Sequence, residues 1–318
     1  MSYNTQRIGG IVTEGTRGTA TTVVFDTVLY NLSTISPSVS KTNQGVLGGS
    51  KTTAPHEYIG MREGSVTFDF DLAGSGDNAV APKVAKVFTA GGFLPVAGTP
   101  NTYLMDGTLP CSSLTYEGYN YECGTSPAGV MSQMTGAVPV LTIGADAVGS
   151  VIKVNASLTG ALQDDTSIAS GTPKVIASND TAKGLVFKGG VYTIGGTAVS
   201  LKSWSFVTGA EVVAETDATN GDTCIAYHFI KSLAGRQLTM EFKKLPKATC
   251  DAMGDYFAEA INSEIVISFN NTSTGQVGKM VFSLAQAIEL SDNDGDAYMT
   301  QSGTYRVENV TIVFDSIA

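Results

Sequence analysis

The same order of elements is written twice along this chain. Gly64 to Leu72 (GSVTFDFDL) alternates apolar and polar residues, as a strand with one buried face does. A helical segment follows from Pro82 to Gly92. Arg236 to Phe242 (RQLTMEF) alternates in the same way, and Pro246 to Asn262 follows it. The two prolines lie 164 residues apart (246 − 82), close to half of the 318-residue length. A strand–helix–strand–strand order that recurs at half length predicts a tandem chain, mainly β (α+β). Each half is expected to be a sandwich- or barrel-like sheet flanked by one helix. The first unit spans residues 1–165 and the second 166–318, with the turn-rich stretch 163–182 as the linker.

The helical readings rest on spacing. Pro82 opens the first helix, where its missing N–H costs nothing, and Gly91-Gly92 stops it. Val84, Val87 and Phe88 form its apolar stripe; Met253, Phe257, Ala260 and Ile261 form that of the second helix. Thr19 to Leu32 reads as a long strand or hairpin, and Ser113 to Cys123 as alternation about a turn at Glu117-Gly118. Val138–Ile143 and Val151–Leu158 read as a hairpin. Further strands are expected at Leu185–Ile194, Ala198–Val207, Cys224–Ile230, Glu264–Phe269, Lys279–Ile288 and Tyr305–Phe314. Residues 1–18 read as an extended arm. Residues 33–60 show no sustained apolar period, which is unusual inside a compact domain. The segment is either a disordered insertion or one that orders against another subunit, and Val46, Leu47, Tyr58 and Ile59 as apolar anchors favour the second.

Composition suits either a chain whose surface is consumed by neighbours or a β-rich soluble protein with polar, uncharged loops. Charged residues are 15% of the chain, against about 25% in an ordinary domain. A net charge of −10, with no basic cluster longer than Lys243-Lys244, excludes the footprint of a nucleic-acid-gripping protein. The N-terminus lacks the apolar core of a secretory signal, and no apolar run reaches the ~20 residues of a membrane span. The protein is therefore expected to be made in the cytosol and not to enter a membrane. The four cysteines are scattered, as structural thiols are in a reducing compartment.

No constellation for catalysis emerges. His56 and His228 are the only histidines, one in the unpatterned segment and one inside an expected strand. Neither a phosphate-binding nor a dinucleotide-binding glycine motif is present, so no enzyme activity and no cofactor are expected. Asp292, Asp294 and Asp296 (DNDGD) offer hard oxygen ligands of the kind Ca²⁺ takes. The EF-hand spacing is not met, and such runs are also ordinary turn formers.

The run from Gly64 through the Gly74-Ser-Gly76 turn to Pro82, with a helix ending at Ala90-Gly-Gly-Phe93, resembles the tail tube proteins of tailed bacteriophages. Tyr103, the segment Tyr119 to Cys123, Gly136 and the strand to Gly160-Ala-Leu162 continue the resemblance, as do Gly235-Arg236 and the Pro-led segment after them. The resemblance implies a non-enzymatic virion protein whose rings stack into a hollow conduit for DNA delivery, the sheets joining into one continuous barrel. It implies trimeric pseudo-hexameric or hexameric rings of the chain itself. It also implies tape-measure, tail-terminator and baseplate or tip proteins as partners, and double-stranded DNA passing without sequence-specific binding. Asp69, Asp71 and Glu241 are then candidate lumen-facing acids, and the 33–60 segment a bridging arm. A tail-completion, baseplate-proximal or head–tail connector ring is the nearest alternative. A β-rich adhesion or carbohydrate-binding module, presenting Tyr116, Tyr119 and Tyr121, is a more distant one.

Overall fold

A computed structural model of the chain describes residues 6–43, 57–77, 80–97, 101–122, 128–168, 174–175, 183–219, 223–243, 263–271, 276–294 and 299–316. Strands make up 60% and helix 3%, so the fold is mainly β. The first half supplies β1 (Gln6–Thr13), β2 (Ser36–Asn43), β3 (Glu57–Asp71), α1 (Ala85–Ala90), β4 (Leu94–Pro95), β5 (Thr102–Met105), β6 (Leu114–Tyr121), β7 (Gly129–Ala145), β8 (Lys153–Leu162) and β9 (Thr166–Ile168). The second supplies β10 (Tyr192–Ile194), β11 (Thr197–Ala198), β12 (Leu201–Val207), β13 (Glu211–Thr216), β14 (Ile225–Ser232), β15 (Gln237–Lys243), β16 (Ser263–Asn271), β17 (Gln276–Asp294), β18 (Met299–Arg306) and β19 (Asn309–Ser316).

These strands form a front and a back sheet. The front sheet runs β2–β3–β8–β7–β12–β15–β18–β17, antiparallel throughout. The back sheet runs β11–β10–β16–β17–β19–β5–β4. β17 belongs to both: its first half pairs with β16 and β19, its second with β18. No ladder among the described residues closes the front sheet into a barrel.

One pairing order occurs twice. The first half gives β1–β6–β7–β8–β3–β2, and the second gives β10–β16–β17–β18–β15–β12. The long strand of each set, β7 and β17, changes partners beside a residue with positive φ: Gly136 at 57° and Leu284 at 54°. The sets join directly where β7 pairs with β12 and β19 with β5.

The core is one cluster that draws on both sides of position 165. Alternation explains it: Val66, Phe68, Phe70 and Leu72 of β3, and Leu238, Met240 and Phe242 of β15, all point between the sheets. Phe93 meets Phe206 at 6.3 Å, and Phe88 lies 5.9 Å from Phe70 and 6.2 Å from Phe314. α1 thus plugs the gap between the sheets. It ends in a Schellman motif, with Phe93 N–H donating to the Phe88 carbonyl and Gly92 at φ 99°. The helix is shorter than the 82–92 expected, because Pro82 to Val84 form only a turn before it. The second expected helix, 246–262, lies outside the described residues.

Several expectations are corrected. Residues 6–13 are not a free arm but a strand paired along β6. Thr19 to Leu29 joins no ladder. Its Val23 and Phe25 instead cover Tyr119 and Tyr121, so side-chain packing overrides β propensity there. β6 passes straight through Glu117-Gly118, and a Cβ on Gly118 would stand 2.9 Å from the Tyr116 hydroxyl. That glycine serves a close approach rather than a turn. Tyr305 to Phe314 is two strands, broken at Val307-Glu308 where the chain leaves the front sheet for the back. Within the 33–60 segment, Ser36–Asn43 forms a strand the sequence reading did not expect, paired with Glu57–Ser65; this pairing does not bear on the expected contact with another subunit.

Candidate functional site

The face of the front sheet opposite the core carries rows of polar side chains. Asp69, Asn155 and Thr142 lie side by side across β3, β8 and β7. The next row runs Asp71, Lys153, Gly144, Ser205, Thr239, Thr304, Glu289, and a third runs Ser203, Glu241, Ser302, Ser291. Seven of these fourteen positions carry a small hydroxyl side chain, because the strands that alternate Phe, Leu or Met inward alternate polar residues, most often Ser or Thr, outward.

The three acids expected to share a face do share it, and each is partnered. The two carboxylate oxygens of Asp69 accept from the side-chain amides of Asn31 and Asn155, both at 2.6 Å. Partial burial raises the Asp71 carboxyl above its ordinary range, and neighbouring Lys153 opposes that shift. The Lys202 ammonium stands 3.9 Å from Glu241, an exposed pair of little energetic weight. The face is therefore polar and only partly compensated, four acids (Asp69, Asp71, Glu241 and Glu289) standing against Lys153 and Lys202.

One end of this face is covered by the two-stranded β13–β14 sheet, an excursion between β12 and β15. Its stem is a glycine pinch: Gly209 has φ 55°, and a Cβ there would stand 2.1 Å from the Gly235 carbonyl oxygen. The Arg62 N–H donates to the Thr223 carbonyl, and His228, 2% exposed, places Nε2 3.0 Å from Glu63. Tyr227 lies directly over Gly136, where a Cβ would be 2.6 Å from its Cα. The Arg17 guanidinium caps the Tyr227 ring at 5.3 Å.

Beneath this junction is a buried carboxylate that sequence reading missed. Glu14 accepts from the N–H groups of Gly18 and Gly136, both at 2.7 Å, and from the hydroxyls of Ser113 at 2.5 Å and Thr115 at 2.9 Å. It ties the end of β1 to β6 and to the kink of β7. Only its place after an apolar strand could have marked it, and a Glu there reads equally well as solvated.

On the second repeat no described strand covers the same end of the front sheet. A cleft of about 400 Å³ is lined by Asp106, Ala234, Arg236, Leu284, Gln286, Arg306, Val307, Glu308 and Asn309. Burial lowers the Arg236 guanidinium, with Glu308 and Asp106 opposing. Hydrogen bonds from Thr108 hold the Asp106 carboxyl below its usual range.

The remaining candidates separate. Tyr58 and Ile59 lie on the β3 backbone opposite Thr42 and Lys41, and Val46 and Leu47 lie outside the described residues. Asp292 and Asp294 lie on the β17 backbone opposite Gln301 and Met299, and Asp296 lies outside the described residues. Among the described residues no group of three or more His, Cys, Asp or Glu could hold a metal ion, and no helix is long and apolar enough to cross a membrane. Tyr116, Tyr119 and Tyr121 are buried, so their rings are not available to stack on a sugar. No family model matches the chain, and no curated protein matches it.

Proposed function

We infer that the chain is a non-enzymatic ring-forming subunit of a hollow conduit, a bacteriophage tail tube protein. The observation that carries this is the front sheet, one run of eight antiparallel strands with an apolar face, a small-hydroxyl face and two open edges. β2 has no second strand partner among the described residues, and neither has the 286–294 half of β17. Open edges of this length must be covered or paired, and copies of the same chain can pair them into a closed barrel. The repeated pairing order supports a tandem origin, two tube modules per chain.

Geometry favours three copies per ring. Three times eight gives roughly 24 strands, and at ~4.8 Å spacing and ~40° tilt the backbone barrel is about 48 Å across. Side chains reaching about 5 Å inward leave a lumen of about 38 Å. Two copies would leave only about 22 Å, too narrow for a hydrated duplex with its counterions. The hydroxyl face would line the lumen. Partly compensated charge and short side chains offer a polyanion neither a cationic grip nor aromatic stacking platforms. Tape-measure, terminator and baseplate or tip proteins are the expected further partners in the virion.

Negative-stain microscopy of the purified protein tests this. Hollow rods of uniform diameter are expected. Single rings would favour a connector or tail-completion protein, and monomers at high concentration would overturn the reading.

A further inference from the structure

The two repeats differ in one respect that points to a docking seat. In the first, the kink of the long strand is covered: Tyr227 of β14 lies on Gly136, and β14 reaches Arg62 and Glu63 at the start of the paired strand. In the second, the kink residue is Leu284. It stands in the bulge at the end of the β16 ladder, just before the ladder to β18 begins, as Gly136 stands in the bulge where β7 passes from β6 to β8, and it is 37% exposed in the cleft beside Arg236 and Arg306. The cleft is the second repeat's version of a seat that β14 fills in the first.

Leu284 adds an independent sign. A bulky residue at φ 54° is strained, and glycine stands at the equivalent kink of β7. Strain of this kind persists where a side chain has work outside the local fold. Half-exposed Leu284 is the one apolar side chain of size that this charged cleft offers to a partner.

The occupant follows from the same repeat. β13–β14 is the ribbon inserted between β12 and β15, the strands that flank the second repeat's edge. Tyr30 to Ser33, which bonds Asp69 and Thr67 of β3, stands where β12 stands beside β15, so the counterpart of β13–β14 is the ribbon that follows it, β2 with the first half of β3. That ribbon extends past the end of β8 and meets the rest of the described chain at its base, where Arg62 reaches Thr223 and Asp164 and Glu63 reaches His228. It exposes Val39 and Met61, and a two-stranded ribbon is marginal without a surface to lie on. We propose that this ribbon of a second copy docks in the Leu284–Arg236–Arg306 cleft, as β13–β14 docks within the chain on the first repeat. The proposal rests on the ring-forming reading and adds to it the seat that links neighbouring copies. Each ring would then hold the same ribbon-on-sheet joint twice per copy, once within a chain and once between chains.

Cross-linking of mixed copies tests it. In a background with Cys111, Cys123, Cys224 and Cys250 all replaced by Ser, copies carrying Met61→Cys or Tyr58→Cys are mixed with copies carrying Leu284→Cys, assembled, and treated with a short bismaleimide. Dimers are expected from the mixtures and not from any variant alone. Rods that form normally but give no mixed dimer at either position would overturn the seat and leave the tube reading standing. A mixture that never assembles removes both. A second variant, Leu284→Gly, relieves the positive φ. The isolated subunit's Tm is expected to hold or rise, while the concentration needed for rods rises about tenfold or more. An unchanged assembly threshold would also overturn the proposal.

Discussion

Replacing Glu14 tests whether the junction of β1, β6 and β7 is held by one carboxylate. Glu14→Ala removes the acceptor for four donors. The Gly18 N–H is half-buried and can turn to water, but the Gly136 N–H and the hydroxyls of Ser113 and Thr115 are buried and cannot. Three orphaned donors at about 1–3 kcal/mol each give a loss of about 3–6 kcal/mol after partial relaxation. That is a large share of the roughly 5–15 kcal/mol by which domains are stable. Glu14→Gln keeps the shape but turns one oxygen into an NH₂ group. A hydroxyl can rotate to accept from that group; a backbone N–H cannot. With the amide nitrogen at Oε2 the clash falls on the half-buried Gly18 N–H, so the loss should be about 1–3 kcal/mol. Thr115→Val removes a single donor and should cost about 1 kcal/mol. Urea-unfolding midpoints of the three variants should rank Ala lowest, then Gln, then Val. If Glu14→Ala unfolds at the midpoint of Thr115→Val, the carboxylate is not the hub, and the attachment of β1 rests on its ladder alone.

Asp71→Asn should leave the protein at least as stable at neutral pH. Its folded-state value is raised above 3.8 by burial, so folding favours the protonated form; that contribution is complete below 3.8 and is lost as pH rises through the raised value. The variant should therefore show a shallower decline of Tm across that window, and an unaltered slope would refute the assignment. Gly209→Ala forces a Cβ against the Gly235 carbonyl at positive φ and should cost more than about 1–2 kcal/mol. Hydrogen exchange should accelerate across 211–232 before the rest of the sheet responds, and uniform exchange would show that the pinch does not govern the hairpin. Phe88→Ala empties the space between the sheets and should lower stability by about 3–5 kcal/mol in the same urea assay. A loss under about 1 kcal/mol would mean that α1 does not plug the core.

The parts of the fold legible in the sequence are those where one face of a strand is buried. β3, β15 and the β7–β8 hairpin sit where period-two alternation puts them, and their core residues are the ones that alternation names. The misses have physical causes. Thr19 to Leu29 carries strand residues because it packs over two tyrosines, and the same side chains would suit a ladder. The break inside 305–314 is recorded only as a change of parity, from Tyr305 and Val307 to Val310, Ile312 and Phe314. The β2–β3 ribbon shows no apolar period because it leaves the sheet, so neither face has a core to match. For the polar face, alternation puts Asp69, Asp71 and Glu241 opposite the core residues of their strands. It did not reveal that Asn31 and Asn155 hydrogen-bond Asp69 or that lysines stand beside Asp71 and Glu241, since those partners come from other segments. Glu14 and the Arg236 cleft depend on contacts between distant segments and leave no local pattern.

That partial compensation changes how a conduit wall of this kind would keep DNA from sticking. A strongly acidic wall would repel phosphate but also repel itself across the lumen; a hydroxyl-rich wall whose lysines stand beside carboxylates lowers both costs and offers phosphate no free cationic patch to displace counterions. The argument is open to a direct test on assembled rods. Asp69→Lys with Glu241→Lys changes each copy by four charges, and in a three-copy ring by roughly twelve (three times four), beside Lys153 and Lys202 that are already present. Because log K falls by about 0.9 per log unit of salt for each phosphate neutralised, six to ten contacts would show as a loss of about 10³–10⁵ in affinity between 50 and 200 mM salt. Parent rods should leave a labelled duplex free at the low-salt end, and variant rods should retain it and release it as salt rises. Variant rods that bind no more than the parent would remove these residues from the lumen. Parent rods that already hold the duplex tightly would show that this wall is not what lets DNA pass.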